Sequence, residues 1–174
     1  MANTDAPMGL KPWAGGSDGP PRMRLYVGGS TTNIGRGDVV ALAANGRIHR
    51  IVTTTGSAAI VGVAANYVAT PTTNTPEVWV YDDPDQLFVV QDDGAAATPA
   101  QASVGATFAM ILGAPNTTTG NSIQEIDASA SGTTSTDPLI VLGFVQGAGF
   151  EIGKNAKHIV KLNRHLYRAG SAAI

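Results

Sequence analysis

Residues 38–53 read DVVALAANGRIHRIVT, an apolar run and an alternating run separated by Asn45-Gly46. An Asn-Gly pair favours a two-residue turn in which both residues take positive φ, and such turns join antiparallel strands. The flanking runs are rich in β-branched residues, which suit strands. This stretch therefore predicts a β-hairpin with strands at 38–43 and 47–53.

Short strands of the same kind are predicted along the rest of the chain. They are expected at residues 24–27, 58–65, 77–81, 86–91, 108–112, 122–126, 139–146 and 157–163. Segments rich in Gly, Pro, Thr and Ser separate them, as turns between strands do. About ten short strands predict an all-β fold, a compact β-barrel or sandwich.

Four segments call for separate interpretation. Residues 58–65 are apolar enough for a strand buried on both faces. Residues 155–167 allow a helical face, but the alternation within 157–163 favours a strand. Thr98-Pro99 predicts a single helical turn over 99–103, and residues 127–137 are small and polar enough to predict an exposed loop.

The N-terminal 22 residues differ from the rest, because they contain four prolines and show no apolar periodicity. They predict an extended arm over 1–22 and a β domain with long Thr/Ser/Gly loops over 23–174. Apolar side chains in such an arm, above all Trp13, serve as anchors in a partner's pocket. The alternative is an arm that folds back over its own domain.

Charge is distributed unevenly along the chain. Residues 51–150 contain no Lys or Arg but carry nine carboxylates, whereas both ends are basic. Basic ends either seek an acidic surface on a partner or pair with the acidic body of the same or a neighbouring subunit. Both alternatives remain open from the sequence.

The sequence offers no set of residues for catalysis. It has no cysteine, and His49, His158 and His165 lack the spacing of a helical zinc pair. The acidic residues of 82–93 lack the pattern of a helix–loop–helix calcium site. No phosphate-binding loop, serine elbow or basic–aromatic pattern for nucleic acid is present. We therefore expect a non-enzyme without cofactor or metal, and with no nucleic-acid or membrane partner.

Three segments in order resemble a family of capsid cement (decoration) proteins of tailed bacteriophages. They are ANTDAPMGLKP at 2–12, DDPDQLFVVQ at 82–91, and EIGKNAKH at 151–158 followed by Val160, Asn163 and His165. Together they cover about a fifth of the chain. One position departs from the family's pattern: Val89 stands where its members tend to carry an acidic residue.

The resemblance implies a β domain on the outer surface of the expanded capsid, made in the bacterial cytoplasm. It would bridge major capsid protein subunits and stabilise the shell against internal DNA pressure, as a homotrimer or alternatively a dimer. Expected capsid contacts are Met8, Leu10, Lys11 and Trp13 in the arm, and Arg22 and Arg24 at its root. The alternatives are another virion component, such as a tail or head–tail domain, or a displayed module that binds carbohydrate or the host.

Overall fold

The computed structural model of the chain describes residues 3–13, 21–29, 32–52, 59–69, 76–95, 100–133, 135–147 and 150–168. These residues contain eleven strands and a single short 3-10 turn, Gln101–Ser103. The strands are β1 (Lys11–Pro12), β2 (Met23–Val27), β3 (Val39–Leu42), β4 (Ile48–Arg50), β5 (Ile60–Ala64), β6 (Glu77–Tyr81), β7 (Leu87–Gln91), β8 (Thr107–Ile111), β9 (Glu125–Gly132), β10 (Leu139–Phe144) and β11 (Lys157–Leu162).

The strands form two antiparallel sheets. The first has the order β1-β7-β11-β10-β8-β9 and the second the order β2-β6-β5-β3-β4. The predicted all-β class is confirmed, in a compact sandwich-like arrangement. None of the helices in the described ranges is long and apolar enough to cross a membrane.

The main core lies between the two sheets. Phe88, Phe108 and Met110 from the first sheet pack with Val39 and Val63 from the second, and all five are buried. Side chains alternate between the faces of a strand, so these residues occupy one face of each sheet.

The second sheet has apolar residues on its other face as well. Val40, Ile48 and Val78 are buried there with loop residues such as Ile34 and Val68. Just beyond β2, Gly28 forms a parallel bridge to Ile48 of β4, which brings the two edges of this sheet together at one end. The sheet therefore curls around a second, smaller core.

β5 connects the two cores. All five of its residues are buried, as the apolar run at 58–65 predicts. Ile60 and Val63 belong to the main core, whereas Val61 and Ala64 belong to the second. β11 is a strand, as the alternation at 157–163 predicts.

The turn at Asn45-Gly46 differs from the prediction, although the β3–β4 hairpin is present. Gly46 has φ of 75°, but Asn45 is not among the described residues with positive φ. The amide of Gly46 donates to the carbonyl of Ala43, and the amide of Ala43 donates to the carbonyl of Arg47, which leaves residues 44–46 in the loop. The connection is therefore wider than a two-residue type I′ turn, and its hairpin is correspondingly shorter than predicted.

The prediction of an exposed loop over 127–137 is wrong for residues 127–132, which belong to strand β9. Met110 and Ile111 of β8 pair with Ile126 and Glu125, and Ala128 is buried. Pairing with an apolar neighbour here outweighs the weak strand propensity of Ala and Ser. A helical turn is predicted over 99–103, and the structure has a 3-10 turn at Gln101–Ser103. Thr98 and Pro99, which carry the prediction, lie outside the described residues.

Candidate binding surface

An exposed apolar strip runs along β2 at the edge of the second sheet. Met23, Leu25 and Val27 alternate on one face of the strand and are 44%, 46% and 44% exposed. Trp79 of β6, the direct cross-strand partner of Leu25, is 44% exposed. We call these four residues the β2 strip.

The β2 strip continues the core-facing side of the second sheet. Tyr81 lies two residues after Trp79 on the same face of β6, packs against the main core and pairs with buried Val63. This face of the second sheet is therefore covered by the main core at Tyr81 and exposed to solvent at the β2 strip. Contiguous exposed apolar side chains of this kind are typical of binding surfaces.

The opposite face of β2 is polar and centred on Asp82, which is buried. The Nε of Arg24 lies 3.2 Å from the carboxylate Oδ2, and the Tyr26 hydroxyl donates to the same oxygen at 2.9 Å. The hydroxyls of Tyr26 and Tyr167 are 3.0 Å apart. Burial, with these hydrogen bonds added, raises the pKa of the Tyr26 hydroxyl well above its usual value.

Arg22 and Arg24, which are predicted to contact an acidic partner, lie close together beside Asp82. Both engage Asp82, with the Nε of Arg22 4.0 Å from Oδ1, yet their side chains remain 58% and 54% exposed. Lys161 also pairs with Asp85, near the same acidic turn. Pairing of basic chain ends with the acidic body of the same chain thus occurs here.

The described part of the arm, residues 3–13, lies against the first sheet. Lys11 and Pro12 pair with Val89 and Phe88 as an edge strand, where proline is tolerated. Gln91 binds this segment through its side chain, accepting from the amide of Ala6 and donating to the carbonyl of Thr4. Residues 3–13 therefore follow the alternative in which the arm folds back, and residues 14–20 lie outside the described part of the chain.

The four arm residues predicted as contacts occupy different environments. Leu10 is 1% exposed in the main core, so its prediction as a surface contact is wrong: the pocket it fills belongs to its own domain. Lys11 is exposed, and Met8 and Trp13 are partly buried. For these three residues, the predicted contacts remain predictions.

Parts of three segments that are distant in the sequence, 2–12, 82–91 and 151–158, meet in the structure. Asn3 donates to the carbonyls of Glu151 and Lys154, while Gln91 donates to that of Asn155. Asn155 has φ of 55°, a conformation that Asn tolerates better than most residues. These residues thus hold the arm and two loops together, which is a structural role.

Asp92 and His158 form the most buried ionisable pair. Both are fully buried, with His158 Nε2 3.0 Å from Asp92 Oδ2. The amides of Gly94, Asn155 and Ala156 also donate to the Asp92 carboxylate. Because the Asp92 carboxylate is already hydrogen-bonded and neither side chain is exposed to solvent, this pair stabilises the fold and is not accessible to a substrate.

Two carboxyl groups, those of Asp38 and Glu125, have a raised pKa. Burial is the main cause that raises the pKa of Asp38 to about 6, against the lowering effect of its partners, Ser122, Gly35 and Arg50. Burial, and then the charge of Asp5 and its neighbours, raises the pKa of Glu125 to about 7. Neither group lies in a cavity that the structure describes.

A shallow cavity of about 330 Å³ lies beside the β3–β4 hairpin, lined by Arg47, His49, Arg50 and Val52 among others. Arg50 points inward, donating to the carbonyl of Gly113, and burial lowers the pKa of His49. Among the residues that the structure describes, no group of His, Asp and Glu side chains is arranged to hold a metal ion.

Comparison of the chain with protein-family models, curated proteins and solved structures finds no match. The β2 strip is therefore the best-supported candidate site, on physical grounds alone.

Sequence reasoning missed the strip. The alternation in MRLYV, residues 23–27, was a signal for a strand with one apolar face, but the pattern carries no information on whether another layer covers that face. Trp79 and Tyr81 alternate on one face of β6, a pattern that is more often typical of core residues. Trp79 is nevertheless exposed, because it lies beyond the covered part of the sheet.

Proposed function

We propose that this protein is a structural virion protein of the capsid cement class. It binds the outer surface of an expanded tailed-phage capsid and bridges major capsid protein subunits. The β2 strip is the observation that carries the proposal, because a sheet face that is apolar and left uncovered gains free energy when a partner covers it. The three segments that resemble cement proteins supply the class of partner.

Binding to the assembled shell explains how such a protein would stabilise it. A partner that binds only the assembled lattice shifts the equilibrium toward that lattice by mass action. Several copies or several contacts on one oligomer add through effective concentration. The homotrimer stays a prediction, which sedimentation of the free protein tests.

A displayed carbohydrate-binding module is less well supported. Such a module needs exposed aromatic rings on a common surface. Trp79 and Tyr167 are both exposed, but Trp79 belongs to the β2 strip, whereas Tyr167 contacts Tyr26 and Arg24 on the opposite face of β2. The strip itself is mostly aliphatic.

The decisive experiment is saturation binding to expanded empty capsids that lack this protein, followed by sedimentation and copy counting. We expect saturable binding and a raised thermal stability of the shell. Leu25→Asp should weaken binding by at least about tenfold, because it places an unpaired charge in the contact.

Leu142→Asp is the matched control, since Leu142 is a leucine of similar exposure, 43% against 46%, on the other sheet. This variant should bind as the wild type does. Absence of binding to expanded shells, or equal losses in the two variants, would contradict the proposal.

A further inference from the structure

Within the described part of the chain, no residue pairs with the outer edge of β2 along the strip. β2 pairs with β6 on one side, and no described strand pairs with Met23–Val27 on the other. The bridge from Gly28 to Ile48 begins only after the strand ends. A strand with unpaired amides and carbonyls along one edge is a template for another extended segment.

The two faces of this edge differ in chemistry. One face carries Met23, Leu25 and Val27, and the other carries Arg22 and Arg24. An added strand would lie about 4.8 Å from β2, with its side chains alternating between the same two faces. It would therefore meet apolar side chains on one face and guanidinium groups on the other.

We propose that an extended segment of a partner protein, alternating apolar residues with carboxylates, adds to the free edge of β2 as a further strand. The inference rests on the proposed function and names the chemistry of the capsid segment that the protein binds. Its apolar residues would extend the β2 strip, and its carboxylates would face Arg22 and Arg24.

The charge balance at Asp82 favours an acidic partner. Two guanidinium groups share this single buried carboxylate, which also accepts from the Tyr26 hydroxyl. Both arginine side chains remain more than half exposed. The face therefore has unbalanced positive charge that carboxylates of an added strand would neutralise.

The same balance disfavours a second copy of this chain at this edge. An antiparallel β2–β2 pair centred on Leu25 would join the two apolar strips. It would also gather Arg22 and Arg24 of both copies on one face without adding any carboxylate beyond the two Asp82 groups. Like charges in cross-strand proximity destabilise such a pair.

The test is an NMR titration of the full chain with two synthetic peptides, one alternating valine with aspartate and the other valine with lysine. We expect the aspartate peptide to shift the amides of residues 23–27 saturably and to slow their hydrogen exchange. The lysine peptide should leave them unchanged. Leu25→Asp should abolish the shifts, and Leu142→Asp should not.

Charge recognition is tested separately with Arg22→Glu, because Arg22 lies farther from Asp82 than Arg24 does. This variant should bind the aspartate peptide roughly two- to fivefold more weakly, as loss of an exposed ion pair predicts. Wild-type affinity for the same peptide should fall as salt is raised, a measurement that needs no variant.

Equal binding of both peptides, or no binding of either, would overturn the inference. Shifts of the same amides on raising the protein concentration alone would also overturn it, since a second copy would then occupy the edge. If capsids bind in a Leu25-dependent way while the peptides do not, the proposed function stands without strand addition. If the aspartate peptide binds at residues 23–27 while expanded capsids do not bind, strand addition is confirmed and the partner is not a capsid.

Discussion

Glu125 lies among other carboxyl groups, and its titration follows from that position. Burial first, and then the charges of Asp5, Asp93 and Asp92, together raise its pKa from 4.5 to about 7. The folded protein therefore holds a proton that the unfolded chain releases between these two values. Free energy of unfolding falls as pH rises through this window, because the folded state binds more protons there.

Glu125→Gln should remove this loss of stability. The neutral side chain has similar shape and no charge to repel Asp5. We expect the variant to be more stable than the wild type at pH 8, with an advantage that grows between pH 5 and pH 7 and then levels off. Urea denaturation across this pH range measures the difference.

Glu77→Gln is the control for that experiment, since Glu77 is an exposed carboxylate on β6. It should change stability little and equally at all pH values. A constant difference between Glu125→Gln and the wild type across the range would contradict the assigned cause. Asp38, with its pKa raised from 3.8 to about 6, adds to the wild-type slope in the same direction.

Leu10 is a core residue contributed by the N-terminal segment. Leu10→Ala should lower the free energy of unfolding by about 2–5 kcal/mol, as deletion of a buried leucine side chain does. Its exposed neighbour gives the control, since Lys11→Ala should stay within about 0.5 kcal/mol of the wild type. Equal effects at the two positions, measured by chemical denaturation, would show that the segment does not dock as described.

At the scale of elements, β5 and β6 approach closely at Gly62. A Cβ added there would lie 2.0 Å from the carbonyl oxygen of Tyr81, and a backbone atom yields little. Gly62→Ala should therefore destabilise the protein by about 1–3 kcal/mol, as overpacking does. Thermal or urea unfolding measures this loss.

Gly143 of β10 provides a matched control, because a Cβ there would meet no atom within 4 Å. Gly143→Ala should be tolerated to within about 0.5 kcal/mol. Equal losses of stability in the two alanine variants would show that the close approach of β5 and β6 at Gly62 is not the cause of the loss.

At the scale of the whole molecule, the N-terminal segment belongs to the domain. A chain that starts at residue 14 loses Leu10 from the core and β1 from the first sheet. Its free energy of unfolding should be lower by more than about 2 kcal/mol. A chain that starts at residue 6 keeps Leu10 and β1, so its free energy of unfolding should fall much less. The midpoints of urea unfolding compare the two truncations.

This behaviour affects how capsid binding is interpreted. Loss of capsid occupancy after deletion of the arm would follow from a weakened domain as readily as from a lost contact. Leu25→Asp avoids the ambiguity, because Leu25 is exposed in the free protein. Similar unfolding midpoints for Leu25→Asp and Leu142→Asp would establish that binding differences arise at the surface.

Local sequence patterns were sufficient to predict the all-β class, the positions of most strands and the double-sided burial of β5. These features follow from local alternation, β-branched residues and turn residues, which act over a few neighbouring positions. The same local signals placed Arg22 and Arg24 at the root of the arm, where the structure finds them beside Asp82.

Which apolar residues are covered depends on packing between segments that are distant in the sequence. Leu10 is predicted to contact a capsid but lies in the core, whereas Trp79 alternates with Tyr81 as a core residue would but is exposed. β9 became a strand because β8 pairs with it. An alternating pattern shows that a strand has two unlike faces, but sheet order and packing between distant segments determine which face another layer covers.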